Sequence, residues 1–317
     1  MSTEPDEDEG TAVRITWADL PPDIRARAEQ IIGGRVIEAL SQTTGFSPGT
    51  ADRVRTGDGR RAFVKAVTPA INERSADLAR QELRITAALP ARAPTPRMLG
   101  GFDTGDWVVL VLEDVAGRHP RLPWSDADID TVLTGLDELA AALTPAPLTD
   151  VPRARDQLKH DFAGWERIAA DPPADLDLWA RAGLPALRAS AARGLAATAS
   201  GDTLAHCDIR ADNILVRDDG RPAFIDWPWG CIGPAWLDRV LLAVNVLVNG
   251  GTPDRVLSGL DSRVVTDVVT GLTGYFLHTS RTPPPPGIPA VRAFQRAQAD
   301  ALLPWLRERL FTENQIR

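Results

Sequence analysis

Apolar residues recur along this chain with two different periods, and the change from one to the other divides it. Pro21-Pro22-Asp23 opens a stretch with helical spacing that runs to about Ile32 and stops at Gly33-Gly34. Three short, partly alternating runs follow at 35–40, 51–55 and 61–67, with Gly57-Asp58-Gly59 between the last two. Antiparallel strands joined by a hairpin are expected there. Residues 72–89 return to a helical period through Leu78, Leu83, Ile85 and Leu89, and after a Pro-rich turn residues 107–112 form an unbroken apolar run of strand length. The order to this point is strand, strand, strand, helix, strand, strand. Beyond Glu113 to Gly117 the character changes, because 129–143, 236–248 and 264–277 read as helices, several of them apolar on nearly every face. The pattern therefore predicts an α+β chain with an amino-terminal lobe at 21–112, a connector at 113–117 and a larger, mostly helical lobe at 118–317. Pro283 to Pro286 is expected to be a stiff surface connection, and no internal repeat is present.

Composition changes this picture in four ways. The 317 residues suffice for two lobes with real cores, and Cys207 and Cys231 are too few for a disulfide framework or a cysteine-built zinc site, which points to a reducing compartment. Residues 1–10 carry five acids and no base, the opposite of an export signal, and no apolar run reaches membrane-spanning length. A cytoplasmic protein without a membrane partner is expected, with residues 1–20 as a solvated acidic tail to which no function is assigned. The net charge of −8, much of it in that tail, argues against a nucleic-acid partner. Among 35 basic residues only Lys65 and Lys159 are lysine, so a lysine in an apolar setting is informative.

The densest chemistry lies in Leu204-Ala-His-Cys-Asp-Ile-Arg-Ala-Asp-Asn-Ile-Leu-Val216, a turn at Asp218-Asp219-Gly220, and Ala223-Phe-Ile-Asp-Trp227. Two apolar strands flank a polar loop, so Asp208 and Asn213 share a loop and Asp226 stands at the end of the second hairpin strand. Three oxygen-bearing side chains can converge there, a donor set suited to Mg2+, which binds through one or two carboxylates and takes water and phosphate oxygens for the rest. Each residue alone is also an ordinary turn former; the joint spacing is what favours a site. Upstream, Lys65 sits inside the apolar run 62–67, where a charge is costly unless paired. Its partner should be an acid on the following helix; Glu82 is preferred, Glu73 lies too near the helix start, and a lysine reaching past the strand edge to water is the alternative. Thr44-Gly-Phe-Ser-Pro-Gly-Thr50 stands between the first two strands, either as a plain hairpin turn or as a phosphate loop in which Gly45 and Gly49 allow close approach and Ser47 donates.

The stretch His206-x-Asp208-x(4)-Asn213 followed by Ile225-Asp226 resembles the catalytic and metal-binding loops of the aminoglycoside phosphotransferase and choline kinase superfamily. That resemblance implies a bilobal, protein-kinase-like fold, with a small lobe of five antiparallel strands plus a helix, a larger helical lobe, and nucleotide in the cleft. It implies Asp208 as the catalytic aspartate at the acceptor hydroxyl, Asn213 and Asp226 as Mg2+ ligands, and His206 as a loop-shaping residue. Arg210 is placed to meet either the transferring phosphate or a backbone carbonyl. Lys65 with Glu82 resembles the kinase pair that holds the α- and β-phosphates, and backbone groups at Glu113 and Val115 fall where the superfamily's purine meets the hinge. Asp238, in Gly233-Pro-Ala-Trp-Leu-Asp238, resembles the aspartate that braces the catalytic loop; Trp227, Trp229 and Trp236 are expected to pack in the core, with Trp229 the best candidate among them to line an acceptor pocket. Departures are Cys207 where antibiotic kinases carry glycine, Trp227-Pro228 in place of Phe-Gly, and the absence of an activation segment, which argues against a protein substrate.

The expected activity is transfer of the γ-phosphate of ATP or GTP to a hydroxyl of an antibiotic-like or secondary metabolite. A metabolic kinase for a sugar, amino alcohol or homoserine-like acceptor is the alternative, and a non-catalytic nucleotide-binding protein the second. Its partners would be the nucleotide and a small hydroxylated acceptor, with the chain a monomer or weak dimer. The mixed charges at 150–190 do not choose among acceptors.

Overall fold

The computed structural model describes residues 15–42, 48–285 and 288–315, and these group into two units. The first holds the segments up to Ala87, Pro96–Val115 and Pro283–Arg292; the second holds Ala88–Thr95, Ala116–Thr282 and the chain from Ala293 onward.

In the first unit, helix α1 (Pro22–Ile32) precedes strands β1 (Val36–Ser41), β2 (Thr50–Thr56) and β3 (Arg61–Val67), helix α2 (Glu73–Ala88), and strands β4 (Met98–Asp103) and β5 (Val108–Leu112). The strands form one antiparallel sheet in the order β1-β2-β3-β5-β4. Because successive strand side chains point to opposite faces, each central strand feeds two cores. Ala62, Val64, Ala66, Val109 and Val111 pack with Ile24, Ala28 and Ile32 of α1 and with Trp17 and Leu20. Val67, Val108, Leu110 and Leu112 pack on the other face with Ala76 and Ala79 of α2. Lys65, between Val64 and Ala66, necessarily faces α2.

The second unit opens with β6 (Gly117–Arg118) and α3 (Asp126–Ala142), then α4 (Ala154–Phe162), α5 (Gly164–Ala170), α6 (Leu178–Ala182) and α7 (Leu184–Ala197). Short strands β7 (Thr203–Ala205), β8 (Ile214–Arg217), β9 (Pro222–Phe224) and β10 (Cys231–Gly233) follow, and α8 (Leu237–Val248), α9 (Asp254–Leu257), α10 (Ser262–Thr279) and α11 (Val291–Gln315) complete it. Trp165, Ile168, Leu187, Ala191, Leu277 and Ala299 build a core shared by α5, α7, α10 and α11. Helix α10 can approach its neighbours because it is short of side chains where they cross: a methyl group added at Gly164 would lie 2.3 Å from the Gly274 carbonyl. Among the described residues no helix is long and apolar enough to cross a membrane.

The strands of this unit matter for what lies between them. β7 pairs with β10, Ala205 opposite Cys231, and β8 pairs with both β6 and β9. Two loops, 206–213 and 225–230, leave these short ladders.

Candidate active site

Loop 206–213 is held by its backbone. Asp238, one residue inside α8, accepts the His206 N–H at 2.8 Å and the Cys207 N–H at 2.9 Å, one on each carboxylate oxygen. Asn245, two turns further along α8, accepts the Ala211 N–H at 3.2 Å and the Trp124 indole N–H at 3.1 Å. His206 is fully buried against Trp227, ring centroids 4.5 Å apart. Its Nδ1 accepts the Asp208 N–H, which leaves Nε2 to donate to the Ile225 carbonyl at 2.8 Å. The Ile225 N–H in turn donates to the Asn213 carbonyl at 3.0 Å. The two loops are thereby stitched together, as the expected loop-shaping role of His206 and the bracing role of Asp238 require.

Two residues here adopt left-handed backbone, Cys207 with φ 64° and Asp226 with φ 68°. Such a conformation disfavours side chains other than glycine and marks positions that the surroundings over-determine. It gives a physical reason for glycine to suit position 207. The hydrogen bond to Cys231, with desolvation, pushes the half-buried Cys207 thiol well above the usual thiol range; it is a poor nucleophile.

Asp208 and Asn213 are in direct contact. The Asn213 amide donates to both the Asp208 carbonyl and its carboxylate, each at 2.9 Å. Committing the amide N–H groups in this way turns the Asn213 oxygen into the remaining donor atom of that side chain. Burial raises the Asp208 carboxyl above the ordinary carboxylate range, and Arg210 opposes it. The Arg210 guanidinium lies 3.5 Å from Asp208 and makes a two-pronged pair with Asp212 at 2.7 and 3.0 Å. Phe294 of α11 covers it at 5.4 Å. Burial works against the Arg210 charge, but Asp208 and Asp212 outweigh it and hold the group firmly protonated.

β9 ends at Phe224, so Asp226 stands one residue beyond the strand end, after Ile225, whose N–H stitches the loop to Asn213. Among the described residues no group of three or more His, Cys, Asp or Glu is arranged to hold a metal unaided. An amide oxygen and a carboxylate fit a hard cation that draws its other ligands from phosphate and water, and do not fit zinc.

In the first unit the Lys65 ammonium meets the Glu82 carboxylate at 2.5 Å, with the two side chains 15% and 4% exposed. Glu82, not Glu73, is the partner, because residue 82 is on the α2 face that packs against β3. The Glu113 N–H is committed to the Arg97 carbonyl at 2.8 Å, which leaves the carbonyl oxygen as the backbone group of Glu113 for a purine contact; Val115, two residues on, is buried. Gly49 has a packing reason for lacking a side chain: a Cβ there would lie 2.5 Å from the Ala66 carbonyl of β3. Ser47 and Gly45 fall outside the described residues. Trp229 is half-buried, and Trp227 is core.

Sequence reading alone missed Asp212, Asn245 and Phe294. Asn245 carried a signal, a lone amide in the apolar run of α8; Asp212 stands in the motif loop itself, two residues from Arg210, and Phe294 alone is brought there by tertiary structure.

Three comparisons bear on this arrangement. Residues 43–261 match the model of a family described as "Phosphotransferase enzyme family". No curated protein is a significant match. Among solved structures, a thermostable mutant of aminoglycoside phosphotransferase APH(4)-Ia, in ternary complex with ADP and hygromycin B, superposes with a TM-score of 0.59 at 14% identity, covering 90% of this chain and 98% of that one. The GDP and kanamycin complex of APH(2")-IIia gives 0.59 at 15%, covering 90% and 97%. An aminoglycoside phosphotransferase from Alicyclobacillus acidocaldarius gives 0.54 at 16%, covering 92% and 97%. At these identities the likeness is one of fold, the bilobal kinase-like α+β architecture.

Proposed function

This chain belongs to the phosphotransferase enzyme family, and on that premise we propose that it transfers the γ-phosphate of ATP or GTP to a hydroxyl of an antibiotic-like or secondary metabolite, with Mg2+ as cofactor. The observation that carries the reading is the contact of Asp208 with Asn213 inside a loop whose backbone is fixed by α8. A carboxylate held in this way is oriented before substrate arrives, and its raised affinity for a proton suits a group that receives one from an alcohol.

In the proposed reaction the acceptor oxygen bonds to the γ-phosphorus as the bond from phosphorus to the β,γ-bridging oxygen breaks. The nucleoside diphosphate leaves and Asp208 takes the hydroxyl proton. Lys65, steadied by Glu82, binds the α- and β-phosphates, and the backbone at Glu113 and Val115 meets the purine. Arg210 stands beside Asp208 with its fork shared by Asp212, a cation for the transferring group's oxygens. The Asn213 oxygen and Asp226 would hold Mg2+, which supplies charge neutralisation at the phosphates. On this reading the amino-terminal unit binds the nucleotide and the second unit carries catalysis and acceptor binding. The ligands of the structurally similar proteins support both the donor and the acceptor class: ADP, AMP-PNP or GDP on one side and hygromycin B or kanamycin on the other.

Nucleotide turnover measured over a panel of hydroxylated acceptors, from aminoglycosides to sugars and amino alcohols, tests the proposal. Stimulation by members of the antibiotic group, abolished by excess chelator and restored by Mg2+, is expected. Stimulation by simple sugars or amino alcohols alone would replace the acceptor class, and turnover indifferent to chelator would remove the metal.

A further inference from the structure

Between Glu113 and Val115 stands Asp114, a carboxylate whose side chain is only 3% exposed although it follows the end of a strand. The sheet explains where it goes. β3 and β5 pair with Phe63 opposite Leu112, so continuing that antiparallel register by two residues sets Arg61 opposite Asp114. On the other side of β3, Arg53 is the partner of Phe63, one strand further along the same row. Both arginines converge on the one carboxylate. Arg53 Nε donates to Oδ1 at 2.7 Å and its Nη2 to Oδ2 at 3.2 Å, while Arg61 Nε donates to Oδ2 at 2.7 Å. Both oxygens are occupied, by donors from two different strands, and the fork geometry fixes the direction of approach.

From this geometry we infer that Asp114 is a positioning residue for the nucleotide base: clamped by Arg53 and Arg61, it fixes the peptide planes on either side of it, those that present the Glu113 carbonyl and the Val115 N–H. The inference rests on the proposed assignment of these two backbone groups to the purine. A segment that leaves a strand and becomes a connector has lost its ladder partners, and the Glu113 N–H is the last such group held, by Arg97. Past that point the Asp114 side chain replaces the missing ladder. An unclamped connector would sample other directions for the Val115 N–H and bind the base with lower apparent affinity, because only the fraction of molecules in the competent arrangement binds. Nothing in the clamp touches the phosphate-binding pair Lys65 and Glu82. Base affinity and phosphate affinity should therefore come apart when the clamp is cut.

The experiment compares Asp114→Asn with Asp128→Asn. Asp128 is an equally buried carboxylate of the second unit whose partners are Arg118, at 2.6 Å, Arg121 and Ser125. Binding of ADP and GDP, and of inorganic tripolyphosphate as a base-free probe, is measured by calorimetry for wild type and both variants. Asp114→Asn is expected to weaken the tighter of the two nucleotides about tenfold and to change tripolyphosphate affinity less than twofold, with Asp128→Asn within twofold of wild type for both. Nucleotide affinity of Asp114→Asn within twofold of wild type overturns the inference. Parallel loss of nucleotide and tripolyphosphate overturns it too, since that is general destabilisation of the unit. A wild type that binds tripolyphosphate and neither nucleotide defeats the underlying assignment of the base contacts instead. Should Asp114→Asn fail to fold, Arg61→Met, at the more exposed of the two arginines, removes one anchor and is expected to weaken the nucleotide severalfold while sparing tripolyphosphate; equal affinity for both probes in that variant would likewise sink the idea.

Discussion

Three side chains make sharp demands at the scale of single residues. Asp208 is held by Asn213 and Arg210 without being needed to hold the loop, whose anchors are Asp238 and Asn245. Asp208→Asn is accordingly expected to fold and bind nucleotide like wild type while kcat falls by roughly 10²–10⁴, which steady-state kinetics and calorimetry on one preparation would settle. Lys65 is a compact ammonium in a chain that otherwise writes arginine, and its site is walled by β3 and α2. A planar guanidinium has a different reach and a fixed donor fork, so Lys65→Arg is expected to cost at least about tenfold in kcat/KM, about 1.4 kcal/mol. Lys159→Arg, on the exposed side of α4, should be silent; two equally active variants would return Lys65 to the status of an ordinary strand lysine. The third is Asp161, near the end of α4, which burial pushes up to about 6 against the opposing charge of Arg167. An acid whose folded-state value is raised binds its proton more tightly in the folded than in the unfolded chain. Stability is therefore lost as pH rises from about 4 to about 6, where the unfolded carboxyl ionises first, and the loss persists above that window. Asp161→Asn should raise stability at pH 7.5, on the order of 1–2 kcal/mol after allowance for its partial exposure, and by progressively less toward pH 4. Denaturant titrations at both pH values read the difference directly.

Elements were legible where a period stood clear of its surroundings. β3 and α2 fall at the expected positions within a residue or so, because the alternation of 62–67 and the helical spacing of Leu78, Leu83 and Ile85 each answer to a buried face. The strand at Met98–Asp103 was harder: Met-Leu-Gly-Gly-Phe-Asp has no clean alternation, and its pairing with β5 carries an irregularity between Met98 and Gly100. Helices α4 to α7 were not separated either, since alanine is their commonest residue and the apolar faces of α4, α5 and α7 are set by contact with α10. That contact is where an element-scale prediction belongs. Gly164 meets the backbone of Gly274 and Tyr275 rather than a side chain that could swing away. Gly164→Ala should therefore destabilise the protein by about 1–3 kcal/mol, whereas Gly57→Ala, whose added methyl would find only Ile37 at 3.9 Å, should stay within about 0.5 kcal/mol. Similar thermal shifts for the two would mean that α5 and α10 have room to part.

On the scale of the whole molecule, the candidate site was readable because its chemistry is concentrated in twenty-odd consecutive residues, and what stayed hidden was whatever arrives from far along the chain. Phe294 reaches Arg210 across 84 positions, and residues 283–292 group with the amino-terminal unit although the chain around them belongs to the other; no local pattern records either event. The way α8 grips loop 206–213 has a further consequence for the loop's own sequence. Asp238 and Asn245 take hold of main-chain N–H groups at 206, 207 and 211, groups that every residue except proline possesses. The loop's shape then depends on two polar positions of a neighbouring helix, and at Cys207 and Ala211 it makes no demand on the side chain of the gripped residue. Cysteine can occupy a left-handed position that glycine would fill with less strain, because the grip outweighs the preference. A loop held in this way can change sequence while keeping its geometry.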